Sequence, residues 1–585
     1  MAKFLAPGVK RIEVDESEIV TPAGTSVGAM VGDVQQGPTN RRIRVTNDKE
    51  FLNTFGSPVS GIDATNIEEV SLYAGKEFLQ ESNSLFYVRT SDTGSHYSNI
   101  MVSTAVSGQP VSSVTIDEGT TTALLAREGY ADGNKADSIY AIDNATISSA
   151  GYATIFSAIG PGAYGDNVGV SVITCASTSG QGLFDWGYSY DDPESDGTMS
   201  SAADAKWPQV YKVNVYTKPD GTDESWFVGQ DGISGTPDES FLVSNVSTLK
   251  DSAGSSLYAP NVINGNSELI YIKTNSSYPA DTSAVEALYG GANAAYSNSE
   301  ILTGWDLFAA KEKSQVNILI SPDIPKSTAQ IATIKKAGNI ASSRQDCMSV
   351  GQVGTVTGSN VSTIVDSELK QFSFNNPSYT ALYAGYTTVY DSYTDKEINL
   401  PNAIFAPGIF ARTDRVAQTW SAPAGVNRGI IGSALTQNVV YNEAEVGYLY
   451  DNNINPIMYK RGYGYVIWGQ KTAQRKKSAL DRINVRRLLL YVENSIEPTL
   501  VPFLFEANTE KVRDRMTSIV ENFMQTVKSG QGVYAFNVVC DETNNTPQII
   551  DQNQLNLDLY VQPTKTAEFI QFKTIVTKTG VSVTS

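Results

Sequence analysis

Two groups of residues in this 585-residue chain have spacings that chemistry could use. Gly160, Gly162 and Gly165 fit GxGxxG, the spacing with which a strand-to-helix turn cradles a dinucleotide pyrophosphate. That use needs a helix directly after the glycines, whereas Asp166-Asn167 and the strand-like Val-Gly-Val-Ser-Val-Ile-Thr follow here. The expected role is a tight turn in which glycine supplies backbone angles that other residues resist. Glu443, Glu445 and Asp451 could be imagined as a carboxylate pair for acid–base work. In a chain with 62 acidic against 43 basic residues, such groupings read as surface.

Other catalytic and metal chemistries find less support. The single histidine, His96, rules out a multi-histidine metal site. One histidine leaves a His-based triad available, but within Ser-Asp-Thr-Gly-Ser-His-Tyr it reads as a plain turn residue. Cys175, Cys347 and Cys540 lie far apart and form no CxxC pair, so neither a zinc site nor a disulfide framework is indicated. GxxxxGK[ST] does not occur, and the acidic loop at 191–197 lacks calcium-ligand spacing. The expectation is no catalytic residue, no cofactor and no metal.

Positive charge is the feature that remains. The formal net charge is −19, yet residues 401–585 carry a net +3 and residues 1–400 a net −22. This asymmetry reads either as two faces with different neighbours or as chance variation between domains. The densest basic run holds Lys471, Arg475, Lys476 and Lys477, followed by Arg482, Arg486 and Arg487. It reads either as a solvated helix face or as a docking face for an acidic protein. Nucleic acid is not expected as a partner, because the charge is acidic overall and no aromatics interleave the basic run. No window reaches about 18 uninterrupted apolar residues, so direct membrane insertion is not expected either. The N-terminus lacks a long apolar core, and no export signal is expected.

The elements that would position these residues follow from periodicity. Residues 1–24 read as an extended arm with Val9, Ile12 and Val14 apolar among charged neighbours. Fully extended, such an arm reaches roughly 80 Å. Strand and helix signals then alternate: strands near 26–34, 41–47 and 84–90, with helices at 48–55 and 67–79. Residues 96–152 shift to short Ser/Thr/Val-rich strands and read as an insertion. Helices at 301–310 and 328–340 flank the apolar strand Val-Asn-Ile-Leu-Ile-Ser, and Cys347 reads as a small buried residue before the next strand. Further on, a helix is expected at 478–494. In the helix at 509–528, Val512, Met516, Ile519, Val520, Phe523, Met524 and Val527 form one stripe, capped by Asn508. Strands at 533–540, 555–561 and 568–576 close the chain. The fold class is α/β (α+β) and multidomain: a mixed-sheet core, an inserted β-rich domain and extended terminal arms. Its expected divisions are an arm at 1–24, outer α/β domains at 25–95 with 153–400, the insertion at 96–152, and a C-terminal domain at 401–585.

Several strings, in order, resemble the contractile-tail sheath proteins of phages and related injection machines. They are Leu5-Ala-Pro-Gly-Val9; Gly160-Pro-Gly162-Ala-Tyr-Gly165, with Tyr164 where the family has Trp; and Pro377-Ser-Tyr-Thr-Ala-Leu-Tyr383. Phe405-Ala-Pro-Gly-Ile-Phe-Ala-Arg-Thr-Asp414, Ser421-Ala-Pro-Ala-Gly425, Asn453-Ile-Asn-Pro456 and Val466-Ile-Trp-Gly469 follow. Ile483-Asn-Val-Arg-Arg-Leu488 and Phe505-Glu-Ala-Asn508 complete the series. The resemblance implies a non-enzymatic subunit of stacked hexameric rings around a tail tube, contracting to drive the tube through the host envelope. It also implies baseplate and tail terminator proteins as partners, and a virion assembled in the host cytoplasm. A phage-like bacteriocin or other contractile injection system is the alternative setting. Terminal arms add strands to neighbouring subunits in this family, which implicates Val9, Ile12, Val14, Phe569 and Phe572. The tube-facing helix follows the Phe505 motif, which implicates Lys511, Arg513 and Arg515.

Overall fold

The computed structural model describes residues 26–58, 67–90, 95–103, 152–174, 210–218, 237–292, 298–322, 328–354 and 361–571, short gaps within these spans aside. Six segments rich in Val, Ile, Leu and Tyr form the largest sheet: β1 (Gly28–Asp33), β2 (Arg42–Val45), β3 (Leu85–Thr90), β4 (Ile318–Ile320), β5 (Met348–Val353) and β6 (Thr380–Ala384). The order is β6-β5-β4-β1-β3-β2, parallel throughout except for the antiparallel edge strand β2. Every residue of β4, β5 and β6 is buried, as expected of parallel strands covered on both faces. Side chains pin one edge, and main-chain bonds partly cover the other. Arg42 of β2 donates to the Lys313 carbonyl at 2.7 Å and Arg44 to Ser84 Oγ at 3.1 Å. On the far side, the Asn455 and Ala473 amides donate to the Leu382 and Thr380 carbonyls of β6 at 2.9 and 2.8 Å.

Helices α1 (Asp48–Phe55) and α2 (Ile67–Leu79) stand where the apolar spacing places them. Asn47 caps α1 by accepting from the Glu50 amide at 2.8 Å, and Phe51 and Phe55 close on Tyr87 of β3 at ring distances of 5.2 and 4.5 Å. The helix expected at 301–310 spans Asn298–Asp306, and α3 (Thr328–Arg344) runs one turn beyond its expected end. Its last residue explains the extension. Arg344 is buried, pairs with Asp346, and donates to the Phe308 and Ser314 carbonyls at 2.7 and 2.8 Å.

The core under this sheet does not stop at residue 401. Ala29, Phe78, Ile318 and Val350 share one apolar cluster with Phe405, Phe410, Ile467, Ile483 and Leu490. The bridge is α4 (Phe405–Val416), which packs on α2. At its end, Asp414 meets Arg487 of α5 (Ile483–Leu500). Arg487 Nη2 reaches both Asp414 oxygens, at 2.7 and 2.6 Å, and its guanidinium lies over the Phe410 ring. Both side chains of the pair are less than one-tenth exposed. Arg487 and its neighbour Arg486, which donates to Ser378 Oγ at 2.6 Å, are thus interior residues. The expectation of a basic surface on this helix is corrected: Ile483 and Leu490, three or four positions from Arg486 and Arg487, face the main core and turn both arginines inward with them.

A second apolar core, with Phe156, Val172, Val213 and Ile272, lies between two antiparallel sheets. One holds 99–103, 152–158 and 270–274; the other holds 168–174, 210–217, 239–244 and 286–287. Asn99–Ser103 pairs with Tyr152–Ala158, so both ends of the expected insertion belong to this sheet. Most of that insertion, like the acidic loop and Cys175, lies outside the described residues. His96 is half-buried and exchanges main-chain hydrogen bonds with Ala292.

The glycine motif makes the joint between the two cores. The Gly160 amide donates to Tyr164 Oη at 2.9 Å, Gly162 has φ +130°, and a short 3-10 turn leads into Val168–Thr174. A strand, not a helix, follows the glycines, which removes the dinucleotide reading. A Cβ on Gly160 would sit 1.9 Å from the Gly37 carbonyl oxygen, which itself accepts from buried Arg89 at 2.6 Å.

Unfolding in denaturant tests both the joint and the buried pair. Gly160→Ala should lower stability by about 1–3 kcal/mol, because backbone must move to admit the methyl group. Gly265→Ala, with open space around its Cβ, should leave stability unchanged or raise it. Arg487→Ala should cost about 3–5 kcal/mol by stranding the Asp414 carboxylate, and replacing both partners with apolar residues of similar size should cost less than either single change.

Candidate assembly site

The C-terminal segment builds its own cluster on the outer side of α5. In α6 (Glu510–Ser529), Ile519, Val520, Phe523, Met524 and Val527 pack on Leu488, Val492 and Ile496 of α5. Trp420 locks the far end, its indole N–H donating to the Gly530 carbonyl at 2.9 Å and its ring 5.7 Å from Tyr491. Thr509, not Asn508, caps α6, its hydroxyl accepting from the Val512 amide. Asn508 instead accepts from Arg513 Nη1 at 2.8 Å. Arg513 is therefore buried and takes a place on the inner stripe, while Val512 is only half-buried. Lys511 and Arg515 are exposed, and Arg515 lies over the Phe503 ring at 5.6 Å. The tube-facing expectation is corrected at Arg513, which the helical period places with Met516 and Val520.

After α6 come β7 (Val533–Val539) and β8 (Asp558–Pro563), an antiparallel pair. Among the described residues no third strand joins it. Leu557, Leu559 and Val561 are half-buried against the α5–α6 cluster, matching the expected alternation, and Tyr534 and Tyr560 face outward. The last expected strand does not form in its described part: residues 564–571 are irregular.

Side-chain bonds hold that irregular stretch. Thr564 Oγ1 donates to the Gln531 carbonyl at 2.8 Å, and Gln470 Nε2 donates to Thr566 Oγ1 at 2.5 Å and to Glu568 at 3.0 Å. Arg482 grips the Glu568 carboxylate with Nε at 2.6 Å and Nη2 at 2.9 Å. Burial alone would raise the Glu568 carboxyl, but hydrogen bonds from Arg482, Gln470 and Tyr450 outweigh it and hold it below the usual carboxylate range. Immediately beyond, Phe569 and Ile570 are 84% and 85% exposed.

The basic run divides. Lys471 Nζ donates to the Tyr450 carbonyl at 2.7 Å and lies 4.2 Å from the Tyr450 ring centre; burial, with the Arg482 charge beside it, lowers its pKa. It is spent within the chain, which corrects its place in the docking face. Arg475, Lys476 and Lys477 are exposed on a loop that precedes the helix. Asn455 fixes that loop, accepting from the Lys471 amide at 2.7 Å and donating to the Lys471 carbonyl at 2.8 Å. Phe569 stands at the exit of the C-terminal segment; Val9, Ile12, Val14 and Phe572 lie outside the described residues. Glu568 and Ile570 were missed by sequence reasoning. A carboxylate beside two apolar residues after a strand carries no signal of its own, because its partners Arg482 and Gln470 are 86 and 98 positions away and Tyr450 further still.

Glu443 and Glu445 open the helix Glu443–Asp451, where Asn442 and Glu445 form a reciprocal capping box, and Asp451 ends it. These acids are helix-end residues and not a catalytic pair. Cys347 and Cys540 are buried free thiols, and burial raises both. Among the described residues, no three His, Cys, Asp or Glu side chains are grouped to hold a metal, and no helix is long and apolar enough to cross a membrane.

This arrangement has counterparts in known proteins. The family model for the phage tail sheath protein central domain matches residues 294–473, and that for the phage tail sheath C-terminal domain matches 475–577. Along 99% of its length the chain is 27% identical to the tail sheath protein of Enterobacteria phage T4, covering 98% of that protein. It is 26% identical to the tail sheath protein of Vibrio phage KVP40, covering 98% of each chain. The crystal structure of a sheath tail protein from Listeria innocua shares the fold, with a TM-score of 0.53 over 93% of this chain and 96% of that one at 10% identity. With both domain models in consecutive order and two relatives aligned from end to end, this chain belongs to the phage tail sheath family.

Proposed function

We propose that this chain is the structural subunit of a contractile phage tail sheath, polymerising as stacked hexameric rings around the tail tube. The observation that carries the reading is the β7–β8 pair, which stands as a two-stranded sheet among the described residues beside the anchored exit of the C-terminal segment. A two-stranded sheet is marginal by itself and gains from further strands. Arms from neighbouring subunits supply them: residues 1–24 of one copy and the C-terminal segment of another. Main-chain hydrogen bonds then join copies while tolerating many side chains. Ordering each arm residue costs about 1–2 kcal/mol of backbone entropy, so the arms become fixed only in the polymer.

Contraction moves the packed bodies as rigid units while the arms keep them linked, driving the tube through the host envelope. The subunit works without catalysis, is assembled in the host cytoplasm, and meets baseplate and tail terminator proteins at the ends of the polymer. Lys511 and Arg515 contact the tube. Support comes from their position: cations in the first turns of a helix oppose its dipole and so do not serve the helix itself. The exposed side of α6 also carries Glu510 and Asp514 in the same turns, and Glu521 and Lys528 further along, so Lys511 and Arg515 act as individual cations and not as part of a basic stripe.

Deleting residues 1–20 should leave a folded monomer by circular dichroism that forms no tubes by negative-stain microscopy. Tubes of normal length from that truncation would refute the arm reading. Reversing the charge at Lys511 and Arg515 together should weaken co-assembly with tail tubes most at low salt, since screening removes the attraction at high salt. Unchanged co-sedimentation across the salt series would take both residues out of the contact.

A further inference from the structure

We infer that Glu568 is a positioning residue for polymerisation, clamped to its own subunit so that Phe569 and Ile570 are presented to a second copy of this chain. The inference rests on the proposed arm reading and extends it to what aims the C-terminal arm.

The geometry is that of a built anchor. A glutamate on a solvated tail is satisfied by water, but this one is half-buried and receives both nitrogens of one face of Arg482, Gln470 and the Tyr450 hydroxyl. A bidentate guanidinium–carboxylate contact fixes direction as well as distance. Arg482 is itself paired with Asp481 at 3.0 Å and immediately precedes α5, which is rooted in the main core. Upstream, Thr564 and Thr566 are tied to Gly532 and Gln470. The chain is thus fastened at 564, 566 and 568, and released at 569.

What is presented at that release point is apolar. Phe569 and Ile570 are among the most exposed large hydrophobic side chains of the described residues, although adjacent chain is tied down closely enough to have folded them inward. Fixing the root of a binding segment reduces the ordering entropy that association must overcome. The occupant we assign is a second copy, because the segment follows directly on β8, and the β7–β8 pair carries no third strand among the described residues.

Full-length protein carrying Glu568→Ala, the exchanged pair Glu568→Arg with Arg482→Glu, or Phe569→Ser with Ile570→Ser separates the possibilities. The readouts are the lowest concentration that yields tubes, by sedimentation and microscopy, and Tm. Glu568→Ala should raise that concentration about tenfold with little change in Tm, the exchanged pair should recover most of the loss, and the Phe569/Ile570 variant should be impaired at least as much. Normal assembly by the Phe569/Ile570 variant would overturn the C-terminal arm reading itself. Impairment there with normal assembly of Glu568→Ala would overturn the clamp alone. If Glu568→Ala fails and the exchanged pair does not recover, Glu568 is itself a contact to the neighbour, and the positioning assignment is overturned.

Discussion

The contact on which most of the molecule depends is the buried pair between Asp414 and Arg487. Asp414 ends the helix that packs on α2 and the main sheet, and Arg487 lies on the helix that carries the whole α6 and β7–β8 cluster. Two charges removed from water are costly unless the partner is well placed, and here both carboxylate oxygens meet one guanidinium nitrogen over the face of Phe410. The pair therefore selects one arrangement of α4 against α5 more than it adds bulk stability. Neighbouring contacts follow the same line. Arg486 reaches Ser378 before β6, and Arg412 donates to the Arg428 and Ile430 carbonyls, so arginines on both α4 and α5 join parts that apolar packing alone would leave free to slide.

Periodicity made the local elements legible. Helices at 48–55 and 67–79 and the inner stripe of α6 follow from apolar spacing, and the alternation at 557, 559 and 561 marks β8. Side-chain direction was less legible. A run of lysines and arginines looks alike whether it faces water or carboxylates, and only tertiary contact separates Lys471, Arg486 and Arg487 from Arg475, Lys476 and Lys477. Arg513 went astray for a related reason: one polar residue in an apolar stripe is read as an outward neighbour, and its partner Asn508 was assigned to capping. The division at 401 was drawn where composition changes, but a hydrophobic core has no composition boundary. It closes wherever Phe405 and Ile483 find the strands from the first hundred residues.

The joint at Gly160 shows a different economy. The second core touches the first through a glycine against a carbonyl, supported by a buried arginine and one tyrosine hydroxyl. The named parts of that contact are backbone, one arginine and one tyrosine, so its geometry is set by the glycines and Arg89.

The two borders of the six-stranded sheet differ. Along β6 the Asn455 and Ala473 amides occupy the Leu382 and Thr380 carbonyls, whereas β2 pairs with β3 and is pinned at its border by the Arg42 and Arg44 side chains. Were copies joined through the small β7–β8 sheet, as proposed, a few main-chain bonds would act in series with much larger packed interiors. A polymer of that kind would yield at its couplings before its blocks deform, so its elasticity would be a property of the joints.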